Sequence, residues 1–149
     1  MMGMEPPKSD SPTPLVRMNY EVCFFDTDAG GVVHNLAYLR IIEAARTKLA
    51  GEVGLPILEM AERGEYTVVL RTEVDYQSPA KLCDELVVEG WLESVERLRF
   101  WLGFRIVRPS DEAVLVQCRQ RMATITIPGN RPVRPPNDWK ERFPHAFLK

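Results

Sequence analysis

Several features that would identify a function directly are missing from this sequence. It has only two histidines among 149 residues, and its three cysteines, Cys23, Cys83 and Cys118, are widely spaced. No two of them have the close spacing that is typical of a zinc site or a redox dithiol. An odd number of widely separated cysteines also favours a reducing, intracellular setting. No segment approaches the ~20 apolar residues of a membrane span, and the start lacks the apolar run of a secretory signal. We therefore expect a soluble, cytoplasmic protein without membrane insertion.

An excess of charge of one sign is also missing. The sequence contains 19 lysines and arginines against 21 aspartates and glutamates, for a net charge of −2. Nucleic acids and anionic membranes select basic surfaces, so the overall charge does not indicate either partner. The length is that of one domain with a substantial core.

Prolines are concentrated at the two ends of the chain. Residues 1–14 contain four prolines and few apolar side chains, which predicts a mobile N-terminal tail. Residues 129–149 are again rich in proline, and here we expect a C-terminal extension in which Trp139, Phe143 and Phe147 dock a short helix. The folded domain is then expected at residues 15–128.

A strand and a long helix begin the predicted domain. Apolar and polar residues alternate over residues 17–25, the period of a half-buried strand. The period becomes helical over residues 35–50, where one apolar face carries Tyr38, Ile41, Ile42, Ala45 and Leu49. Leu36 and Leu39 fall near the polar side, which suggests that another subunit covers this second face. Residues 56–64 predict a short second helix.

Four further strands follow, at residues 68–76, 86–95, 98–107 and 114–127, with turn signals between them. Short turns favour antiparallel neighbours, and a single long helix must cover the apolar face of the sheet. The predicted fold class is therefore α+β, with a curved antiparallel sheet of about five strands wrapped around one long central helix.

The segment FFDTDAGGVVHNLAYLR, residues 24–40, carries the main chemical signal. Asp26 and Asp28 occupy the first and third positions of a calcium loop, but its twelfth position is Ala37 where a glutamate is required, so no metal site is expected. Asp26 is expected to shape the turn. Asp28 precedes a glycine pair and a helix start, whose free N–H groups stabilise negative charge, and this predicts a hydrolytic site.

Two segments resemble a known family. The run YEVCFFDTDAGGVVHNLAYLRIIEAARTKL, residues 20–49, looks like the signature of acyl-CoA thioesterases of the 4-hydroxybenzoyl-CoA thioesterase-like family, which have the hotdog fold. The run VDYQSPAKLCDEL, residues 74–86, resembles the second recurring stretch of that family. With the order of elements, the likeness covers residues 17–127.

The resemblance implies an acyl-CoA thioesterase that needs no cofactor. Asp28 maps onto the catalytic carboxylate, acting as general base or as nucleophile, and backbone N–H groups near His34 and Asn35 map onto the donors that polarise the thioester carbonyl. Many relatives have Tyr-His where this chain has His34-Asn35, so the role of that second-position histidine does not transfer. For His34, a contact to water or substrate and a polar residue at the helix start are equally supported interpretations. Asn35 is interpreted as a helix N-cap before it is considered a substrate contact.

The remaining expected contacts concern the substrate. Gly31, Val33 and Tyr38 complete the predicted binding residues. Arg97 and Arg99, at a turn between predicted strands, are the first candidates to hold the phosphates of coenzyme A. Arg71 and Lys81 are the next candidates for the phosphates. The acyl pocket is expected to be lined by Leu36, Leu39, Val68 and Leu70.

The resemblance also implies assembly and leaves alternatives open. Relatives form dimers with a continuous sheet, often paired into tetramers, so a homotetramer is expected. An acyl-carrier-protein thioesterase uses the same chemistry, and a non-catalytic hotdog module that binds acyl thioesters is a different class of function. A hydratase is less well supported, because the chain has only His34 and His145.

Overall fold

A computed structural model of the chain describes residues 12–148, so most of the predicted N-terminal tail lies outside the described residues. The elements, in chain order, are β1 (Val16–Glu21), α1 (Asn35–Glu52), α2 (Ile57–Glu62), β2 (Glu65–Tyr76), β3 (Glu85–Val95), β4 (Arg99–Arg108), β5 (Ala113–Thr126), β6 (Pro132–Val133) and α3 (Trp139–Arg142). None of the helices in the described part of the chain has the length and hydrophobicity that a membrane span requires.

The strands form one antiparallel sheet in the order β1-β3-β4-β5-β2, and the short β6 pairs with β5. The register shifts within the β2–β5, β3–β4 and β4–β5 pairs. Such irregularities increase the local twist and bend a sheet. The predicted α+β arrangement, an antiparallel sheet around one long helix, is confirmed.

The core lies between α1 and the inner face of the sheet. The predicted apolar positions of α1 are all buried: Tyr38, Ile41, Ile42, Ala45 and Leu49. The alternating positions of β4 that face them are buried as well: Phe100, Leu102, Phe104 and Ile106. Leu36, on the other side of α1, is 60% exposed in the single chain. The helical and strand periods therefore identified the same core from both sides.

The C-terminal segment closes this core at the far end of α1. Trp139 is fully buried; its ring packs edge-on against Phe100 at 5.0 Å, and its Nε1–H donates to the carbonyl of Val53 at 2.6 Å. Phe143 is also buried, whereas Phe147 is 36% exposed. The segment therefore packs as a short helix against the end of α1, with Trp139 rather than Phe147 as its main anchor.

The outer face of the sheet contains a close contact between Trp91 and Gly103. A Cβ added at Gly103 would overlap the indole ring of Trp91, so Gly103→Ala is expected to lower the free energy of unfolding by about 1–3 kcal/mol. Gly51 in α1 has open space around its Cβ position, and Gly51→Ala is expected to raise stability by up to about 1 kcal/mol. Urea denaturation of both variants tests this; equal effects would contradict the assigned contact.

Candidate active site

The loop between β1 and α1 is built around the buried carboxylate of Asp26. Its Oδ2 accepts hydrogen bonds from the backbone N–H of Cys23 and from the hydroxyl of Tyr20, both at 2.8 Å, and Arg40 lies 3.9 Å from Oδ1. Burial and the bond to this carboxylate raise the pKa of Tyr20 to about 12. Asp26 thus ties the loop to β1 and α1, which agrees with the turn-shaping role expected from the sequence.

Removal of the Asp26 carboxylate is expected to destabilise the protein. In Asp26→Ala the N–H of Cys23 and the hydroxyl of Tyr20 lose their acceptor, which should lower the free energy of unfolding by about 2–4 kcal/mol. Tyr20→Phe removes only one of these bonds and is expected to cost about 1 kcal/mol. Chemical denaturation measures both, and an Asp26→Ala variant as stable as Tyr20→Phe would contradict the anchoring role.

Asp28 lies in the same loop but is exposed. Its Oδ1 accepts the N–H of Gly30 at 2.8 Å, and its backbone N–H donates to Val32 at 2.9 Å. Gly31 has a φ of +79°, a conformation that favours glycine, and its N–H donates to the Asp28 carbonyl at 3.0 Å. Within the described residues Oδ2 of Asp28 has no hydrogen-bond partner. One carboxylate oxygen is therefore oriented by the loop and the other is available to a ligand.

The start of α1 differs from the sequence prediction at one position. His34, not Asn35, is the N-cap: its backbone is extended, and its Nδ1 accepts the N–H of Ala37 at 3.3 Å. The predicted cap was wrong because an imidazole nitrogen supplies the acceptor that an asparagine oxygen was expected to provide. The Nδ1 acceptor role also means that a neutral His34 carries its proton on Nε2.

The two N–H groups predicted to polarise a carbonyl are not equivalent. The N–H of His34 already donates to the backbone carbonyl of Asp26 at 2.9 Å. Asn35 is the first residue of α1, where an N–H has no intrahelical acceptor, and no residue in the described part of the chain accepts from it. Unlike the N–H of His34, the N–H of Asn35 is therefore a free donor at the positive end of the helix dipole.

A cavity of about 280 Å³ lies at this helix start, lined by Val33, Asn35, Tyr38 and residues 76–79. The Tyr76 hydroxyl donates to the carbonyl of Asn35 at 3.3 Å, and the rings of Tyr38 and Tyr76 are 5.8 Å apart. The Tyr38 hydroxyl accepts the N–H of Ala80 at 2.9 Å, and burial raises the pKa of Tyr38. The structure therefore brings Val33, Asn35 and Tyr38 together at the cavity, whereas Asp28, Gly31 and His34 lie in the adjoining loop and do not line it.

Tyr76 was not predicted as a site residue. It lies in residues 74–86, the second segment that resembles the family. Its position in that segment was the one feature of the sequence that could have indicated a role in the site. Its link to Asn35 spans 41 residues of sequence, a separation that local patterns do not reveal.

Other predicted contacts lie away from the cavity. Arg97 and Arg99 lie at the turn that connects β3 to β4, whereas residues 77–84 precede the opposite end of β3. The 11 residues of that strand separate the two ends by roughly 35 Å, at ~3.3 Å per residue. Lys81, by contrast, pairs with Val32 in the site loop. The predicted apolar residues Leu36, Leu39, Val68 and Leu70 do not line this cavity.

Comparisons with known proteins agree on the family. A family model described as the thioesterase-like superfamily matches residues 22–143. The acyl-CoA thioesterase YbgC of Haemophilus influenzae is 31% identical over 131 residues, which cover 87% of this chain and 92% of that protein. The acyl-CoA thioester hydrolase YbgC of Escherichia coli O157:H7 is 34% identical over 112 residues, which cover 71% and 83%.

A solved structure shows the same fold. The 1,4-dihydroxy-2-naphthoyl-CoA thioesterase from Synechocystis superposes with a TM-score of 0.74 at 20% identity, over 83% of this chain and 91% of that one. The residues matched by the family model include the loop, the helix start and the cavity described above. The chain therefore belongs to the thioesterase-like superfamily and is a thioester hydrolase with the hotdog fold.

Proposed function

We propose that the protein is an acyl-CoA thioesterase that hydrolyses its substrate to a free acid and coenzyme A. The observation that carries the proposal is the free N–H of Asn35 at the start of α1. Asn35 lines the cavity and directly follows the loop that holds Asp28. An oriented carboxylate and a helix-terminal donor are the two groups that thioester hydrolysis requires. The names of the YbgC relatives support the same substrate class.

The proposed chemistry divides between these two groups. A tetrahedral intermediate places negative charge on the carbonyl oxygen, and the fixed N–H of Asn35 at the positive end of α1 stabilises it. Asp28 either removes a proton from an attacking water or attacks the carbonyl itself, giving a mixed anhydride that water then hydrolyses. The thiolate leaves without much need for protonation, so one carboxylate suffices.

The other predicted residues have supporting roles in this proposal. His34 caps the helix and so holds the Asn35 N–H in place. Gly31 provides the turn that follows Asp28. Val33 and Tyr38 form part of the cavity wall against the acyl group.

Binding of coenzyme A needs cations near the cavity. Lys81 pairs with the site loop at Val32 and Arg40 lies beside Asp26, so these two are the candidates within one chain. Arg97 and Arg99 would reach the site only from another copy.

Self-association is supported by the edge strand β2. It is 12 residues long, ends the sheet, and exposes Tyr66, Val69, Leu70 and Tyr76. Unpaired edges of this kind are templates for pairing with another strand. We propose a dimer with a continuous sheet that pairs into a homotetramer. A monomer by light scattering would contradict this assembly.

We also propose a cytoplasmic location, because the three free cysteines stay reduced there.

Steady-state kinetics test the proposed substrate. Aryl, short-chain and long-chain acyl groups are compared as coenzyme A esters and as carrier-protein thioesters. Higher kcat/KM on the coenzyme A esters is expected. A preference for carrier-linked substrates would favour the acyl-carrier-protein alternative, and acyl-CoA binding in calorimetry without turnover would indicate a non-catalytic module.

A further inference from the structure

The last residue of β4, Arg108, holds several groups at once. Its Nε and Nη2 donate to the two carboxylate oxygens of Asp111, at 3.0 and 2.8 Å. Its Nη1 donates to Oδ2 of Asp84 at 3.0 Å and to the backbone carbonyl of Pro79 at 3.3 Å. The side chain is 19% exposed, so most of the guanidinium lies between the β4–β5 turn and the segment that precedes β3. One side chain therefore connects two loops.

That segment, residues 77–84, forms one side of the cavity; we call it the Pro79 loop. Its residue Ala80 contacts the site directly, since its carbonyl accepts the N–H of Val33 and its N–H donates to the Tyr38 hydroxyl, both at 2.9 Å. Oδ2 of Asp84 accepts the N–H of Lys81 at 2.9 Å. The Pro79 loop thus contacts the site on one side and Arg108 on the other.

We propose that Arg108 is a positioning residue that sets the acyl selectivity of the site by fixing the Pro79 side of the cavity. The inference rests on the proposed thioesterase function. Proline has no N–H, so its carbonyl is the only backbone polar group through which Pro79 can be held. The planar fork of arginine serves three acceptors together, whereas lysine presents a single compact cation.

The expected consequence is a change in selectivity. A cavity discriminates between acyl groups by shape, and one methylene is worth about 10–200-fold in kcat/KM. In Arg108→Lys the Pro79 side of the cavity is no longer held in place. The ratio of kcat/KM for a preferred over a disfavoured acyl-CoA ester should therefore fall by about tenfold. The ratio of kcat/KM for benzoyl-CoA and butyryl-CoA measures this in both proteins.

Arg121 offers a matched control. It also pairs with a carboxylate, Glu96 at 2.6 Å, but it lies beside the β3–β4 turn, at the other end of the sheet. Arg121→Lys is expected to leave the ratio unchanged. Asp84→Asn weakens the contact with Arg108, because it removes the charge of the carboxylate while the side chain keeps a similar shape. This variant is expected to move the kcat/KM ratio in the same direction as Arg108→Lys.

Amide hydrogen exchange of residues 77–84 provides a second readout that does not depend on turnover. Faster exchange in Arg108→Lys together with reduced selectivity supports the inference, and faster exchange with an unchanged ratio overturns it while the proposed function stands. Absence of turnover by the wild type on every acyl-CoA ester overturns both. If Arg108→Lys does not fold, Asp84→Asn decides by the same criteria.

Discussion

Asp28→Asn is expected to lower kcat for acyl-CoA hydrolysis by about a thousandfold, because an amide neither accepts a proton from water nor attacks a carbonyl. The Asn35 donor would remain, so some rate above the uncatalysed reaction should persist. Binding of the substrate should change little, which places the loss in kcat rather than in KM. Steady-state kinetics on the best acyl-CoA ester measure both constants.

The fold is expected to tolerate this change. Asp28 is exposed, and an asparagine oxygen can still accept the N–H of Gly30 that Oδ1 now accepts at 2.8 Å. The free energy of unfolding should therefore stay within about 0.5 kcal/mol of the wild type.

Asp75 provides the control for charge alone. It is an exposed aspartate on β2, opposite Gln117 of β5, and so lies outside the loop that carries Asp28. Asp75→Asn removes the same charge and is expected to leave kcat unchanged. Unchanged turnover by Asp28→Asn across the acyl-CoA panel would refute the assigned catalytic role of Asp28.

Trp139→Ala is expected to have the largest effect on stability, a loss of about 3–5 kcal/mol in the free energy of unfolding. The fully buried indole packs against Phe100 and Phe143, and it donates to the carbonyl of Val53 at the end of α1. Removing it leaves a cavity in the main core and a buried carbonyl without this donor. Urea denaturation measures the loss.

Two matched variants separate the causes of this loss. Trp139→Phe keeps most of the apolar contact but loses the bond to Val53, so an intermediate cost is expected. Trp101→Ala removes a partly exposed tryptophan that lies under Arg119 on the outer face, and the expected cost is smaller. A loss for Trp139→Ala that is small and no greater than that for Trp101→Ala would contradict the role of Trp139 as the main anchor of the C-terminal segment.

The core of the fold was readable from the sequence because its signals are local and periodic. The helical spacing from Tyr38 to Leu49 and the alternation from Phe100 to Ile106 each identify one apolar face, and the two faces meet in the structure. The number of long strands and their antiparallel pairing followed from short turns. Element ends were less exact: β2 begins at Glu65, three residues before the predicted start at Val68.

The site was readable only in part. The motif located Asp28 and the helix start, but a local pattern could not show that the N–H of His34 is occupied by Asp26 while that of Asn35 is free. Likewise, the sequence placed Arg97 and Arg99 at the turn after β3, but it could not show that the cavity lies near the other end of that strand.

The sequence by itself determined the fold class, the composition of the core and the loop that carries the acidic residues, because these depend on spacing along the chain. Only the tertiary structure decided which residues surround that loop. Tyr76, Ala80 and Arg108 reach the site through hydrogen bonds across the fold, the bond from Tyr76 to Asn35 spanning 41 residues and the bond from Ala80 to Tyr38 spanning 42. Such contacts depend on how the strands and the helix pack in space, and no spacing along the chain encodes them.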